Sequence, residues 1–296
     1  MKRNDLAWQS KLILLLVLPV AGTDVVLQTQ TWMVQSPAVA AWTLGLSGLL
    51  GLITWKLRAA TPGAAAAGAL ITANLMFSTA SAPYSPLHTA MVPVLAVSLL
   101  AFGATRVGRR RKERLGTAEE RTGRRAAQIA ANLGVAVLVS NDLAQTWLAN
   151  SRWNERLEPA ATPWIIGPLA VAALAALAEA AADTVSSEIG QVLGGRPRMV
   201  TTLRSADPGT DGAISLAGTL AGVIAAGIVA GLGAFALREN AAGFSLICAG
   251  AVFGLFFDSL LGATFERAGW LNNDAVNFVS TASAAGVALV MAALLR

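Results

Sequence analysis

Three carboxylates close a long alanine-rich run in the stretch Glu179-Ala-Ala-Ala-Asp183-Thr-Val-Ser-Ser-Glu188-Ile-Gly190. Glu179, Asp183 and Ser187 recur every four residues, so a continuing helix sets them on one face with Glu188 beside them. A charge at the centre of a membrane helix costs on the order of 2.5–3.5 kcal/mol, so such a stack wants protein partners, water or a cation. Oxygen ligands suit Mg2+, which takes one or two carboxylates and completes its shell with phosphates and water. The competing reading is of charges at a helix end that simply reach solvent.

A second constellation follows at once: Gly194-Gly195-Arg196-Pro197-Arg198, then Thr201-Thr202-Leu203-Arg204, then Asp207-Pro208-Gly209-Thr210-Asp211-Gly212. Arginine forks match phosphate oxygens, and a glycine-rich turn running into a helix start presents free backbone amides. The pattern suits an anion carrying several phosphates. Alternatively, the arginines anchor the chain at the membrane surface and Asp211 caps the next helix.

A third group places Asp258 inside the apolar run Phe256-Phe257-Asp258-Ser259-Leu260-Leu261. Glu266-Arg267, Asn272-Asn273-Asp274 and Asn277 come after it. Capping explains one of the polar residues near 273 but not Asp258. A fainter group, Gly123-Arg124-Arg125 with Gln128 and Asn132, aligns Arg124, Gln128 and Asn132 along one helix face, which interhelical hydrogen bonding also explains. No Walker phosphate loop, nucleophile elbow or HExxH zinc motif occurs. The one histidine, His88, and the one cysteine, Cys248, exclude histidine triads, thiolate metal sites and a disulfide framework within one chain.

The elements that position these groups must be membrane helices. Hydrophobic residues make up 55% of the chain, charged residues 13%, and the mean hydropathy is +0.58, so the bilayer has to be the solvent. The expected fold is all-α, a polytopic bundle of about nine spans near 9–28, 38–56, 62–79, 88–105, 126–148, 163–183, 213–236, 242–264 and 274–295. Pro19 and Asp24 interrupt the first of these. A hydroxyl residue followed by proline marks three helix starts: Ser36-Pro37, Thr61-Pro62 and Thr162-Pro163. Tryptophans 8, 32, 55, 147, 153, 164 and 270 lie near span ends, as an interfacial belt requires. Gly218/Gly222, Gly227/Gly231 and Gly250/Gly254 are spaced for close helix packing, within the bundle or in a homo-oligomer.

Residues 1–296 read as a single transmembrane domain: N-terminal helices over 1–105, a basic connection over 106–125, and a core over 126–296 that holds the polar groups. The connection, with Arg109-Arg110-Arg111-Lys112, is expected to be a helical extension near the headgroups, where it meets membrane lipids. With nine spans, Lys2, Arg3, Lys11, Lys56, Arg58, residues 106–125, Arg196, Arg198 and Arg204 all fall on one side. The positive-inside rule makes that side cytosolic, with the N-terminus inside a multi-pass protein of the cell membrane. The net charge of +5 then reports topology, and no recognition motif for nucleic acid accompanies it.

Six ordered segments resemble one family. They are Gly123-Arg124 through Asn132-Leu133-Gly134; Ala182-Asp183-Thr184 through Ser187-Glu188-Ile189-Gly190; Pro197-Arg198 through Thr201-Thr202; Pro208 to Gly212 through Ser215-Leu216-Gly218-Thr219; Asp258-Ser259-Leu260-Leu261-Gly262-Ala263; and Asn273-Asp274-Ala275-Val276-Asn277. This is domain-of-unknown-function family 92, polytopic proteins that include plant phytyl-phosphate kinase and an animal transmembrane relative. The resemblance covers most of residues 105–295 and is less distinct before them. It implies a phosphotransferase that uses a nucleoside triphosphate, with CTP first, to convert an isoprenoid monophosphate into a diphosphate with Mg2+. On that reading Asp183, Asp211, Asp258 and Asp274 are catalytic, and Asp183, Glu188 and Asp258 hold metal. Arg196, Arg198, Arg204, Gly209, Thr210, Gly212, Asn273, Asn277, Arg124 and Asn132 bind substrate. Two other classes stay open: a transporter or lipid flippase, which wants midplane polar groups and repeat symmetry, and a non-catalytic membrane scaffold.

Overall fold

In hydrocarbon a chain must satisfy its own backbone, and a helix does so segment by segment. The computed structural model describes residues 6–118, 122–149 and 167–295, and these are overwhelmingly helical. In order, they form α1 (Ala7–Gln35), α2 (Pro37–Lys56), α3 (Pro62–Ser78), α4 (Met91–Arg106), α5 (Arg109–Leu115), α6 (Ala126–Ser140), α7 (Asp142–Ala149) and α8 (Gly167–Leu193). A two-residue hairpin pairs β1 (Arg198–Met199) with β2 (Ala213–Ile214), and α9 (Leu216–Leu237), α10 (Ala241–Leu261) and α11 (Asn273–Leu294) follow.

Each expected span has a helix, but six helices among the described residues are long and apolar enough to cross a bilayer, or seven if the bent pair α4–α5 counts as one. The shortfall is one of length. At 1.5 Å per residue the 15 residues of α6 reach only about 22 Å, against a hydrocarbon core of about 30 Å. The expected span 126–148 ends early because Asn141 breaks it. Its side-chain oxygen accepts from Ala144 N at 3.0 Å to start α7, while its amide donates back to the Val137 and Leu138 carbonyls. In contrast, α1 runs unbroken through Pro19 and Asp24, and Asn74 of α3 donates to the Asp24 carboxylate at 2.5 Å.

Ser36-Pro37 and Thr61-Pro62 open α2 and α3 as expected, and Thr61 Oγ1 accepts from Ala64 N at 3.3 Å. Thr162-Pro163, Trp153 and Trp164 lie outside the described residues. Trp8, Trp55 and Trp270 are exposed as belt residues should be, but Trp32 is buried with Val25, Val39 and Phe77. The basic connection also departs from expectation. Its helix α5 is only seven residues long, turns 67° from α4, and buries Lys112 completely.

At the centre stands α8, with nearly all of its apolar length buried and α4, α6, α9, α10 and α11 packed around it. Alanine lets the neighbours come close, and glycine on those neighbours completes the fit. A Cβ on Gly218 would meet the Ser186 carbonyl at 2.6 Å, one on Gly222 the Ala182 carbonyl at 2.8 Å, and one on Gly254 the Cγ of Glu179 at 2.6 Å. Gly227 has nothing within 4 Å and lies outside this packing. Gly254→Ala is therefore expected to destabilise the protein by about 1–3 kcal/mol through overpacking. Gly227→Ala should leave it unchanged or stabilise it by about 0.5–1 kcal/mol through helix propensity. Thermal unfolding of both variants in one detergent checks the contrast.

Candidate functional site

The C-terminal third of α8 meets the N-terminal ends of α6, α9 and α11 and the C-terminal end of α10 at one end of the bundle. A polar cavity of about 270 Å3 opens there. From α8 come Asp183, Thr184, Ser187, Glu188 and Gln191; from α6 and the residue pair before it, Arg124, Gln128 and Asn132. The turn 208–212 contributes Gly209, Thr210, Asp211 and Gly212; α10 and the π-turn that extends it add Asp258, Ser259 and Glu266; α11 adds Asn273 and Asn277. Residues more than 150 positions apart in sequence thus share one wall.

Local structure explains each placement. Asp183 and Asp258 project toward each other from α8 and α10, within hydrogen-bonding reach, with Arg124 and Glu188 flanking Asp183 and Glu179 close to both. Arg124 is held by its backbone. Its N–H donates to the Ala59 carbonyl and its carbonyl accepts from Thr61 N, both at 3.0 Å, while its guanidinium reaches Thr184 Oγ1 at 3.4 Å. Gly212 has φ +75°, and any Cβ there would strike the backbone of Ala263, so the turn lies flat against the π-turn Gly262–Glu266 that extends α10. Ser215 Oγ caps α9 by accepting from Gly218 N at 3.1 Å, and Ser215 itself, with Ala213 and Ile214 before it, borders the cavity.

Sequence reasoning missed the counter-ion of Glu188. The ammonium of Lys112 is buried, donates to the Ala104 and Thr105 carbonyls at 3.0 and 2.8 Å, and forms an ion pair with a Glu188 oxygen. In the sequence Lys112 sits in an Arg-Arg-Arg-Lys run that reads as solvated. The signal lay in Gly108 and Gly116, which bracket a helix of about two turns whose inward face carries one basic residue.

Several expected site residues stand elsewhere. Arg196, Arg198 and Arg204 are exposed and do not line the cavity. Arg198 instead donates to the Leu203 carbonyl at 3.1 Å and closes its own hairpin loop. Asp274 is also outside, accepting from Ser10 Oγ at 2.6 Å to join α11 to α1. Asn272 caps α11 through Ala275 N, which leaves Asn273 as the member of that trio at the cavity. Asn277 donates to Asn132 Oδ1 at 3.0 Å, so these two first bind each other across α11 and α6.

The sequence profile of the family described as integral membrane protein DUF92 matches residues 45–285, a stretch that includes every residue of the cavity. The chain belongs to the DUF92 family. Over 110 residues, 36% of this chain and 45% of the relative, it is 41% identical to an uncharacterized membrane protein of Methanocaldococcus jannaschii. Over 204 residues, 66% of this chain and 71% of the relative, it is 31% identical to an uncharacterized membrane protein of a Synechocystis species. The chloroplast protein VTE6 of Arabidopsis thaliana is 27% identical over 201 residues, 67% of this chain and 57% of the plant protein. The matches to the archaeal and plant relatives thus span about half of each relative's length. No solved structure matches the chain.

In this DUF92 protein the cavity has an excess of negative charge: Asp183, Glu188, Asp211, Asp258 and Glu266 line it, with Arg124 the one basic residue there among those described. No three His, Cys, Asp or Glu side chains among the described residues converge into a metal cage, and Lys112 already engages Glu188, so the trio Asp183, Glu188 and Asp258 is not gathered as a ligand set. The facing pair Asp183 and Asp258 does fit Mg2+. Oδ2 of Asp258 is buried without a hydrogen-bond partner among the described residues, and a hard cation with phosphate ligands needs only one or two carboxylates.

Breaking the Lys112–Glu188 pair leaves a buried charge uncompensated. Lys112→Met is expected to cost about 3–5 kcal/mol in stability, and the double variant with Glu188→Gln should recover most of it. Unfolding midpoints of the two single variants and the double variant in detergent test this. Additive losses would show that the pair is not coupled.

Proposed function

We propose that this DUF92 protein is a membrane phosphotransferase. It moves the terminal phosphoryl group of a nucleoside triphosphate, with CTP the first candidate, onto an isoprenoid monophosphate. The observation that carries the reading is the facing Asp183–Asp258 pair, opposed by Arg124 and the Gly209–Gly212 turn, in a polar cavity at the end of an apolar bundle. The resemblance to the family that includes phytyl-phosphate kinase supplies the reaction class, and the cavity supplies parts that class needs.

An oxygen of the acceptor phosphate attacks the γ-phosphorus and forms the new P–O–P bond. The bond from the γ-phosphorus to the β-bridging oxygen breaks, and its electron pair leaves with the nucleoside diphosphate. A dianionic acceptor needs no proton transfer. Little covalent chemistry is asked of the protein, so positioning and charge balance carry the rate. Arg124 offers a forked donor to an equatorial or acceptor oxygen, and the backbone of the turn 209–212 offers dipoles without reorganisation. Bound Mg2+ would offset phosphate charge against Asp183 and Asp258. Asn273, Thr210 and Asp211 border the same space and orient the donor.

A transporter would want its polar groups near the bilayer midplane. Here the cavity opens where helices end, beside the basic ends of α2 and α4, and the positive-inside rule assigns that end to the cytosol, where nucleotides are.

Transfer from labelled CTP or ATP to phytyl, farnesyl and geranylgeranyl phosphate, by purified protein with Mg2+, tests the proposal. Asp183→Asn, Asp258→Asn and Arg124→Ala are each expected to lower kcat/KM by about 100-fold or more while unfolding as wild type does. Arg196→Ala, exposed outside the cavity, should stay within about twofold. Folded protein that makes no diphosphate with any donor would sink the phosphotransferase reading in favour of transport.

A further inference from the structure

A second cavity, of about 120 Å3, lies between α2, α3, α4 and α6 and shares Arg124 and Asn132 with the polar one. The two differ in kind. Small apolar side chains such as Ala64, Val94, Ala101 and Ile129 wall the second cavity, with Gly68 among them. Four arginines also line it: Arg58, Arg106, Arg109 and Arg124. The Arg106 guanidinium lies 3.4 Å from the Phe102 ring centre and donates to the Leu57 carbonyl at 3.2 Å, which holds its charge beside the apolar walls. An apolar slot lined in part by forked cations is complementary to an amphiphile with one hydrocarbon chain and an anionic head.

We propose that this cavity seats the isoprenoid chain of the acceptor, with the acceptor phosphate at Arg124, where the two cavities join. The assignment rests on the phosphotransferase reading and adds to it which side of Arg124 the acceptor occupies: the nucleotide takes the carboxylate side and the lipid takes the α2–α3–α4–α6 side. A chain entering from the bilayer exchanges one hydrocarbon environment for another, so it gains no hydrophobic free energy and selection is by shape. Small residues therefore set the width of the slot. At Gly68 the nearest atom to an added Cβ is Ile129 Cγ2 at 3.9 Å, so the backbone tolerates a side chain there and the bulk of a leucine would enter the cavity. Gly45, on the outward face of α2 with nothing within 4 Å, is the matched control.

The test is photolabelling of the full chain in nanodiscs with a farnesyl monophosphate bearing a diazirine near its tail end, followed by peptide mapping. Label is expected on the peptides around Ala64, Ala101 and Ile129. Geranylgeranyl phosphate should compete with it, whereas inorganic phosphate or phosphatidic acid at the same concentration should not. Gly68→Leu should reduce the label about tenfold, and Gly45→Leu should leave it unchanged. Label confined to other helices, label displaced equally by phosphatidic acid, or label indifferent to Gly68→Leu in folded protein would each overturn the assignment. If Gly68→Leu does not fold, the wild-type map and the competition decide it. Label in the slot of a protein that transfers no phosphate would remove the kinase reading and keep the lipid site. Transfer with the label elsewhere would do the reverse.

Discussion

Carrying carboxylates through the middle of a membrane bundle is the constraint from which the rest of this structure follows. Helix α8 is buried on every side, and the same helix bears Glu179, Asp183 and Glu188. A charged group out of water must find a counter-charge, a hydrogen-bond donor or an ion. The surrounding helices differ mainly in how they answer that need. The turn into α5 delivers Lys112 to Glu188, the bridge from Ala60 to Arg124 delivers a guanidinium beside Asp183, and Gly254 leaves space for the stem of Glu179, whose two oxygens are buried without a hydrogen-bond partner among the described residues. Removing the carboxylates would leave α8 a plain alanine-rich packing core with no reason for these three devices.

The compensation is incomplete, and that makes the cavity chemically interesting. Lys112 offsets Glu188 from behind, and Arg124 stands near Asp183, yet Asp211, Asp258 and Glu266 also border the same space. A phosphate ligand entering an acidic cavity meets repulsion unless it arrives with cations. With Arg196, Arg198 and Arg204 at the surface, the cavity has fewer fixed positive charges than the sequence suggests, so on the proposed phosphotransferase reading a phosphate ligand would depend more on an accompanying divalent cation.

Legibility in the sequence followed the range of the physics involved. Span positions were readable because hydropathy is local, and Asp183, Asp258, Asp211, Arg124 and the turn 209–212 stood out because polar groups in apolar runs need a reason. What failed were inferences that treat chain proximity as spatial proximity. Arg196 and Arg198 follow the acidic helix by a few residues, but the hairpin β1–β2 turns them outward. Lys112 is 76 positions from Glu188 and meets it because α4 ends beside α8 and α5 bends toward it. The family resemblance makes Asp274 a fourth catalytic carboxylate beside Asn273, yet one residue along a helix turns a side chain by about 100°, enough to aim Asp274 at Ser10 and Asn273 at the cavity.

Placing the polar cavity at the bundle end, rather than at mid-membrane, has a chemical logic for a lipid acceptor. The reacting group and the nucleotide are highly charged and belong near water, whereas the chain attached to the acceptor belongs in hydrocarbon. An enzyme joining them has to hold a phosphate at the boundary while leaving both ends in their preferred solvents. Arg124 sits at such a boundary, with a carboxylate-rich cavity on one side and an alanine- and glycine-lined slot on the other. Its backbone is fixed at both N–H and carbonyl by the segment leading into α3, and its guanidinium reaches Thr184 Oγ1 at 3.4 Å. On the proposed reading, a cation anchored between two unlike cavities would let the position of the acceptor phosphate, rather than the reach of the chain, decide which oxygen is presented for reaction.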